Sequence, residues 1–130
     1  MAFVLSKSLT YSWPVVFEMP SDGGRFKKER FTVVFRRLAQ SRIDDILILG
    51  QKLRRAAQDG TEDTEQLLGE ARAMVRELVA GWEGIKEHDD DPEDLEFTDA
   101  NLTSLLEFPK VAEAILNAYG ESLQLGKAGN

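Results

Sequence analysis

The chain has 130 residues, no cysteine and a formal net charge of −7, with 42% hydrophobic and 30% charged residues. That length fits a single domain able to bury a core without covalent staples, and the missing thiols exclude disulfides, thiolate nucleophiles and cysteine-bearing zinc sites. No apolar stretch is long enough to span a bilayer, and residues 1–7 lack the charged leader and long apolar run of a signal peptide, so a soluble, intracellular protein is expected.

The first elements predicted are two strands. Over residues 11–19, Trp13, Val15, Phe17 and Met19 alternate onto one face, and Phe31, Val33 and Phe35 do the same further on. Pro20-Ser-Asp-Gly-Gly24 between them supplies turn chemistry, so the pair reads as a β-hairpin. Pro14 cannot donate a ladder hydrogen bond and marks the first strand as an edge or its start. Lys27, Lys28, Glu29 and Arg30 form a charged, solvated entry to the second strand.

Helical spacing follows. From Ser41, read as an N-cap, apolar residues recur at Ile43, Ile46, Leu47, Leu53 and Ala57. Asp44 and Asp45 near its start and Lys52, Arg54 and Arg55 near its end suit the helix dipole, and Gly60 breaks it. A second helix is predicted from Leu67, Ala71, Met74, Leu78 and Trp82, with Leu68 and Val75 widening the stripe and Glu62, Asp63 and Glu65 loading its first turn. An acidic connection leads to a third helix capped by Thr98. The fourth is entered through Pro109, with Val111, Ile115, Ala118 or Tyr119, and Leu123 on its buried side. Residues 126–130 read as a frayed tail. The architecture expected is α+β, one domain over residues 1–130: a hairpin region over 1–40 packed on a body of about four helices over 41–125.

Charge is spread unevenly, +4 over residues 1–40, −2 over 41–82 and −9 over 83–130. Such polarity suits steering of a partner or head-to-tail stacking, while its plainer reading is a solvated acidic loop that maintains solubility.

Catalytic chemistry finds no purchase. His88 is the single histidine and sits in a run of carboxylates; no serine has a Gly-x-Ser-x-Gly context and no glycine-rich phosphate loop occurs. The acidic run of residues 89–96 lacks the alternating ligands, central glycine and closing glutamate of a calcium loop, and adjacent loop acids give no fixed separation across a cleft. Lys27, Lys28, Arg30, Arg36 and Arg37 are too few in an acidic chain for a nucleic-acid site. Hence no enzyme, metal, cofactor, nucleic acid or membrane is expected. Trp82 has two readings, as a core residue closing the second helix and as an anchor presented to a partner beside Gly81 and Gly84; Ile85, Phe97, Phe108 and Tyr119 join it as candidate partner-binding residues.

Three phrases in order, Leu78-Val-Ala-Gly-Trp-Glu-Gly-Ile85, Phe97-Thr-Asp-Ala-Asn-Leu-Thr-Ser-Leu-Leu106 and Phe108-Pro-Lys-Val-Ala-Glu-Ala-Ile-Leu-Asn-Ala-Tyr119, behind a hairpin with Met19-Pro-Ser-Asp-Gly-Gly24, carry a resemblance. The chain resembles the tail assembly chaperones of long-tailed bacteriophages. One departure is the acidic Asp-Asp-Asp-Pro-Glu-Asp-Leu run, where related sequences tend to turn on glycine. The resemblance implies a binding protein of the host cytoplasm that holds the helical tape measure protein, prevents its aggregation, helps tail-tube subunits gather and leaves before the virion is complete; it is compatible with a homo-oligomer. It also implies a longer product made by minus-one frameshifting, for which Leu125-Gly-Lys127 is a possible slippery position. The rivals are an acidic inhibitor that mimics DNA and a structural tail or head-tail joint protein.

Overall fold

A computed structural model describes residues 9–59 and 64–124. The leader reading over residues 1–7, the Gly60 break, the acidic residues Glu62 and Asp63, and the tail with its possible frameshift position lie outside them. Two long strands open the described chain, β1 (Thr10–Ser21) and β2 (Arg25–Arg36), paired antiparallel from Thr10↔Arg36 to Ser21↔Arg25. Asp22–Gly24 makes the turn, with Gly23 at φ 75 and Gly24 at φ 73, a conformation open to glycine without a Cβ penalty. Expected strand faces are observed: Val15, Phe31, Val33 and Phe35 are buried, while Lys27, Lys28 and Arg30 are exposed. The strands run further than the alternation alone marked, through Pro20 at one end and the charged stretch at the other.

Helices α1 (Gln40–Asp59), α2 (Thr64–Leu78), α3 (Asp99–Leu106) and α4 (Val111–Ser122) form the body, and β3 (Val79–Glu83) joins the sheet in the order β1-β2-β3. The fold is α+β. Among the described residues, no helix is long and apolar enough to cross a membrane.

Four sequence expectations need correction. The second helix does not run on to Trp82; it stops at Leu78, and Val79–Glu83 is a strand. Leu78 and Trp82 satisfy a helical period, but Val79 and Trp82 also suit a strand, and β2 offers an edge on which Thr32, Val33 and Val34 pair with Glu83, Trp82 and Gly81. Arg36 secures the change of structure, its guanidinium donating to the carbonyls of Glu77 (3.1 Å) and Val79 (2.7 Å). The Glu77 carbonyl is one that the ending helix leaves without an amide partner, and Val79 is the first residue of the strand.

Ser41 lies inside α1 and does not cap it; the Ala39 carbonyl accepts the amides of Arg42 and Ile43 instead. Ile46 is buried on α1 and Ile43 and Leu53 pack partly buried against the core as expected, but Leu49 and Ala56 complete that side and Leu47 is left 39% exposed. Pro109 precedes α4 by two residues, because the chain turns through Lys110 at φ 70 before the helix begins at Val111. Thr98 does cap α3, its hydroxyl accepting the Asn101 amide at 3.1 Å.

One cluster of buried side chains ties the parts together, running from Val15, Val33 and Phe35 on the sheet through Val75 and Leu78 on α2 to Ile115 and Tyr119 on α4. The helices cover the odd-numbered face of the hairpin around Val15, Phe31, Val33 and Phe35, while Ser21, Arg25 and Lys27 near the turn stay exposed. Arg42 of α1 bridges to Glu77 of α2, and Arg76 of α2 reaches Asp99 (2.9 Å) and Thr103 of α3.

Candidate functional site

With no group of three or more His, Asp or Glu side chains placed to hold a metal among the described residues, and His88 exposed in the loop with its own amide bonded to Asp91 Oδ2, surfaces matter more here than titrating groups. The five residues singled out in the sequence fall into three environments.

Trp82, Ile85 and Phe97 come together. The register places Trp82 opposite Val33, on the core face of the sheet, 8% exposed. Its indole Nε1 donates to the Leu95 carbonyl at 2.7 Å, and its ring meets Phe97 edge to face at 4.9 Å. The Leu95 amide in turn donates to the Ile85 carbonyl at 2.7 Å, with Ile85 and Phe97 half-buried. These contacts close the stem of the acidic loop. Asp94 adds a bond from the Gly84 amide (3.0 Å), and the Lys86 ammonium donates to the Asp91 carbonyl (2.9 Å). The exposed carboxylates of Glu87, Asp89, Asp90, Glu93, Asp94 and Glu96 are therefore held at one end of the sheet.

Tyr119 is a core residue, 1% exposed and edge to face with Phe35 at 5.1 Å. Burial pushes its phenol above the usual tyrosine range, partly opposed by a hydrogen bond with the Leu38 backbone. Nearby, Tyr11 shares a 2.6 Å hydrogen bond with Ser122 Oγ and lies under the Arg37 guanidinium. Phe108 is different. It stands 55% exposed on the elbow between α3 and α4, followed by Pro109 and the left-handed Lys110.

A further surface escaped the sequence reading. Between α1, α2 and α4 runs a groove of about 400 Å³, floored by Gly50, Ala71 and Ala112, walled by Leu53, Leu68 and Leu116, and rimmed by Arg54, Gln58, Glu113 and Asn117. Small residues at the meeting of three helices leave the space, and Leu68 is 40% exposed at its edge. The available signal was a stripe on α2 widened by Leu68, together with Leu116 beside Ile115, which give α2 and α4 more apolar width than one packed neighbour covers. Such a groove accepts one apolar face of an amphipathic helix. The cleft between α1 and α2 has apolar lining too, from Ile48, Leu49, Ala73 and Met74, but five charged residues, Arg42, Asp45, Lys52, Glu70 and Glu77, surround it and the Arg42 bridge spans it.

No curated protein and no solved structure matches this chain. A family model described as phage tail assembly chaperone matches residues 1–130, the whole length. The hairpin, the Trp82 phrase and the two closing helices that carried the resemblance thus lie within one matched span, and the chain belongs to the phage tail assembly chaperone family.

Proposed function

We propose that this chaperone binds the tape measure protein in the host cytoplasm, shields its apolar surfaces, promotes the gathering of tail-tube subunits around it, and departs before the virion is complete. The role is binding and not catalysis. The observation that carries the reading is the apolar groove between α1, α2 and α4, whose leucine walls and polar rim suit a helix presented side-on. A chain with net charge −7 also remains soluble while holding an apolar client. Repeated weak contacts along a long client give avidity without one strong site.

The test is affinity purification of the tagged chain from phage-producing cells, with mass spectrometry of the eluate and of finished virions. Tape measure protein in the eluate, its loss with Leu68→Glu, and absence of the chain from virions are the expected results. Recovery of a host nuclease or DNA-binding protein in its place points to the acidic mimic. The chain's presence in virions points to a structural component.

A further inference from the structure

The two long strands differ in what their edges offer. Arg37 donates its amide to the Leu9 carbonyl at 2.9 Å, and the register pairs residues whose numbers follow the same alternation, so odd-numbered residues of the hairpin exchange hydrogen bonds with each other. Even-numbered residues therefore direct both N–H and C=O outward. On β1 these are Thr10, Ser12, Pro14, Val16, Glu18 and Pro20. Two of them lack a donor, a common means of blunting an edge.

On β2 the outward residues are Phe26, Lys28, Arg30, Thr32, Val34 and Arg36, none of them proline. Thr32 and Val34 are met by Glu83 and Gly81 of β3. Beyond Glu83 the chain turns away through Gly84 at φ 83, and among the described residues no strand pairs with Phe26, Lys28 or Arg30 on that side. All three are exposed, Phe26 by 64%.

We propose that the edge of β2 at Phe26, Lys28 and Arg30 is a strand-addition site that takes an extended, acidic segment of a protein partner in line with β3. Strand addition draws affinity from main-chain hydrogen bonds and specificity from alternating side chains. Here the side chains are cationic. Arg25, Lys27, Lys28 and Arg30 flank the edge against two acids, Glu29, which pairs with Lys27 at 3.5 Å, and Glu18, which lies opposite Lys28 in the register; Lys28 and Arg30 have no ion pair among the described residues. A second copy of this chain is a poor occupant. Antiparallel registers that bring two such edges together set Lys27 against Lys27, Lys28 against Lys28, or Lys28 against Arg30, and like charges directly opposite destabilise a sheet. An acidic strand reverses the sign of each of those pairs. This inference goes beyond the helix groove and does not depend on it.

The experiment uses the full-length chain labelled for amide detection, with a short capped peptide alternating valine and glutamate as the probe and a valine–lysine peptide as its counterpart. Saturating acidic peptide is expected to slow exchange of the Phe26, Lys28 and Arg30 amides about fivefold or more, with Ser12, Val16 and Glu18 unchanged and the lysine peptide inert. Lys28→Pro removes an outward donor, as Pro14 does on β1, where the hairpin tolerates it, and is expected to weaken binding about fivefold or more; Ser12→Pro, on the other edge and opposite Val34, leaves it unchanged. Lys28→Ala keeps the donor and removes the charge, so it weakens binding with a smaller dependence on salt. Absence of slowed exchange, equal binding of the lysine peptide, protection on β1 instead of β2, or native affinity in both Lys28 variants overturns the proposal. Recovery of tape measure protein from cells is read separately, so either idea can fail alone.

Discussion

Lys110 stands at the N-cap of α4 with φ 70 and no side-chain capping bond, a conformation that costs a residue bearing a Cβ about 1–2 kcal/mol. Glycine adopts it freely, so Lys110→Gly is expected to stabilise the protein by about 1 kcal/mol, seen as a higher denaturant midpoint at constant m-value. A lower midpoint removes strain as the account of this elbow. Tyr119 gives a pH prediction of definite sign. Its folded pKa is raised, chiefly by burial, so the folded state retains the phenolic proton longer than the unfolded chain does. The stabilisation is complete below about pH 10, the ordinary tyrosine value, and is lost as pH rises through the folded value. Denaturant midpoints of the native chain and Tyr119→Phe, compared from neutral to alkaline pH, should therefore diverge only above about pH 10, with the native chain falling faster. The residue scale was partly legible. Thr98 is legible as a cap from its type and place, whereas a left-handed lysine has no sequence signature.

At the scale of elements, the change from α2 to β3 shows where a one-dimensional pattern runs out. Leu67, Ala71, Met74, Leu78 and Trp82 keep a helical period, and a period cannot report that β2 has an unfilled edge nearby. Arg36, 43 residues from Val79 in sequence, caps the junction through two carbonyls, a contact visible only after folding. Arg36→Met is expected to leave α2 and the hairpin in place while β3 frays, read as faster amide exchange at Gly81 and Glu83; unchanged exchange there assigns the junction to packing alone. The bridge between α1 and α2 adds an acid-side prediction. The Arg42 guanidinium holds the Glu77 carboxyl below its usual range, so its contribution is present above the ordinary carboxylate value and is lost as pH falls through the folded one. Both side chains are 40% exposed, so screening keeps the effect small. The difference in thermal midpoint between the native chain and Glu77→Gln should narrow below about pH 4.

For the whole molecule, the hairpin, four helices and α+β class were legible because each rests on local periodicity, while the groove was not, because it belongs to no single element. Gly50, Leu53, Leu68, Ala71, Ala112 and Leu116 come from three helices, and only their assembly shows that Leu68 borders a space instead of closing one. The same reasoning separates two leucines that look alike in sequence and in exposure. Leu68 is 40% exposed at the groove, and Leu47 is 39% exposed on α1 outside it. Each replaced by glutamate should alter stability by no more than about 0.5 kcal/mol, as surface changes usually do, so folding does not distinguish them. Binding should. A carboxylate at Leu68 places charge against the apolar face of a docked helix, a desolvation cost of about 1–3 kcal/mol that corresponds to roughly a 5- to 150-fold loss of affinity. Leu47→Glu leaves the groove as it is. Recovery of the co-purified client, measured for both variants beside the native chain, therefore reports on the groove alone: equal recovery moves the client to another surface, with the exposed Phe108 elbow the next to test.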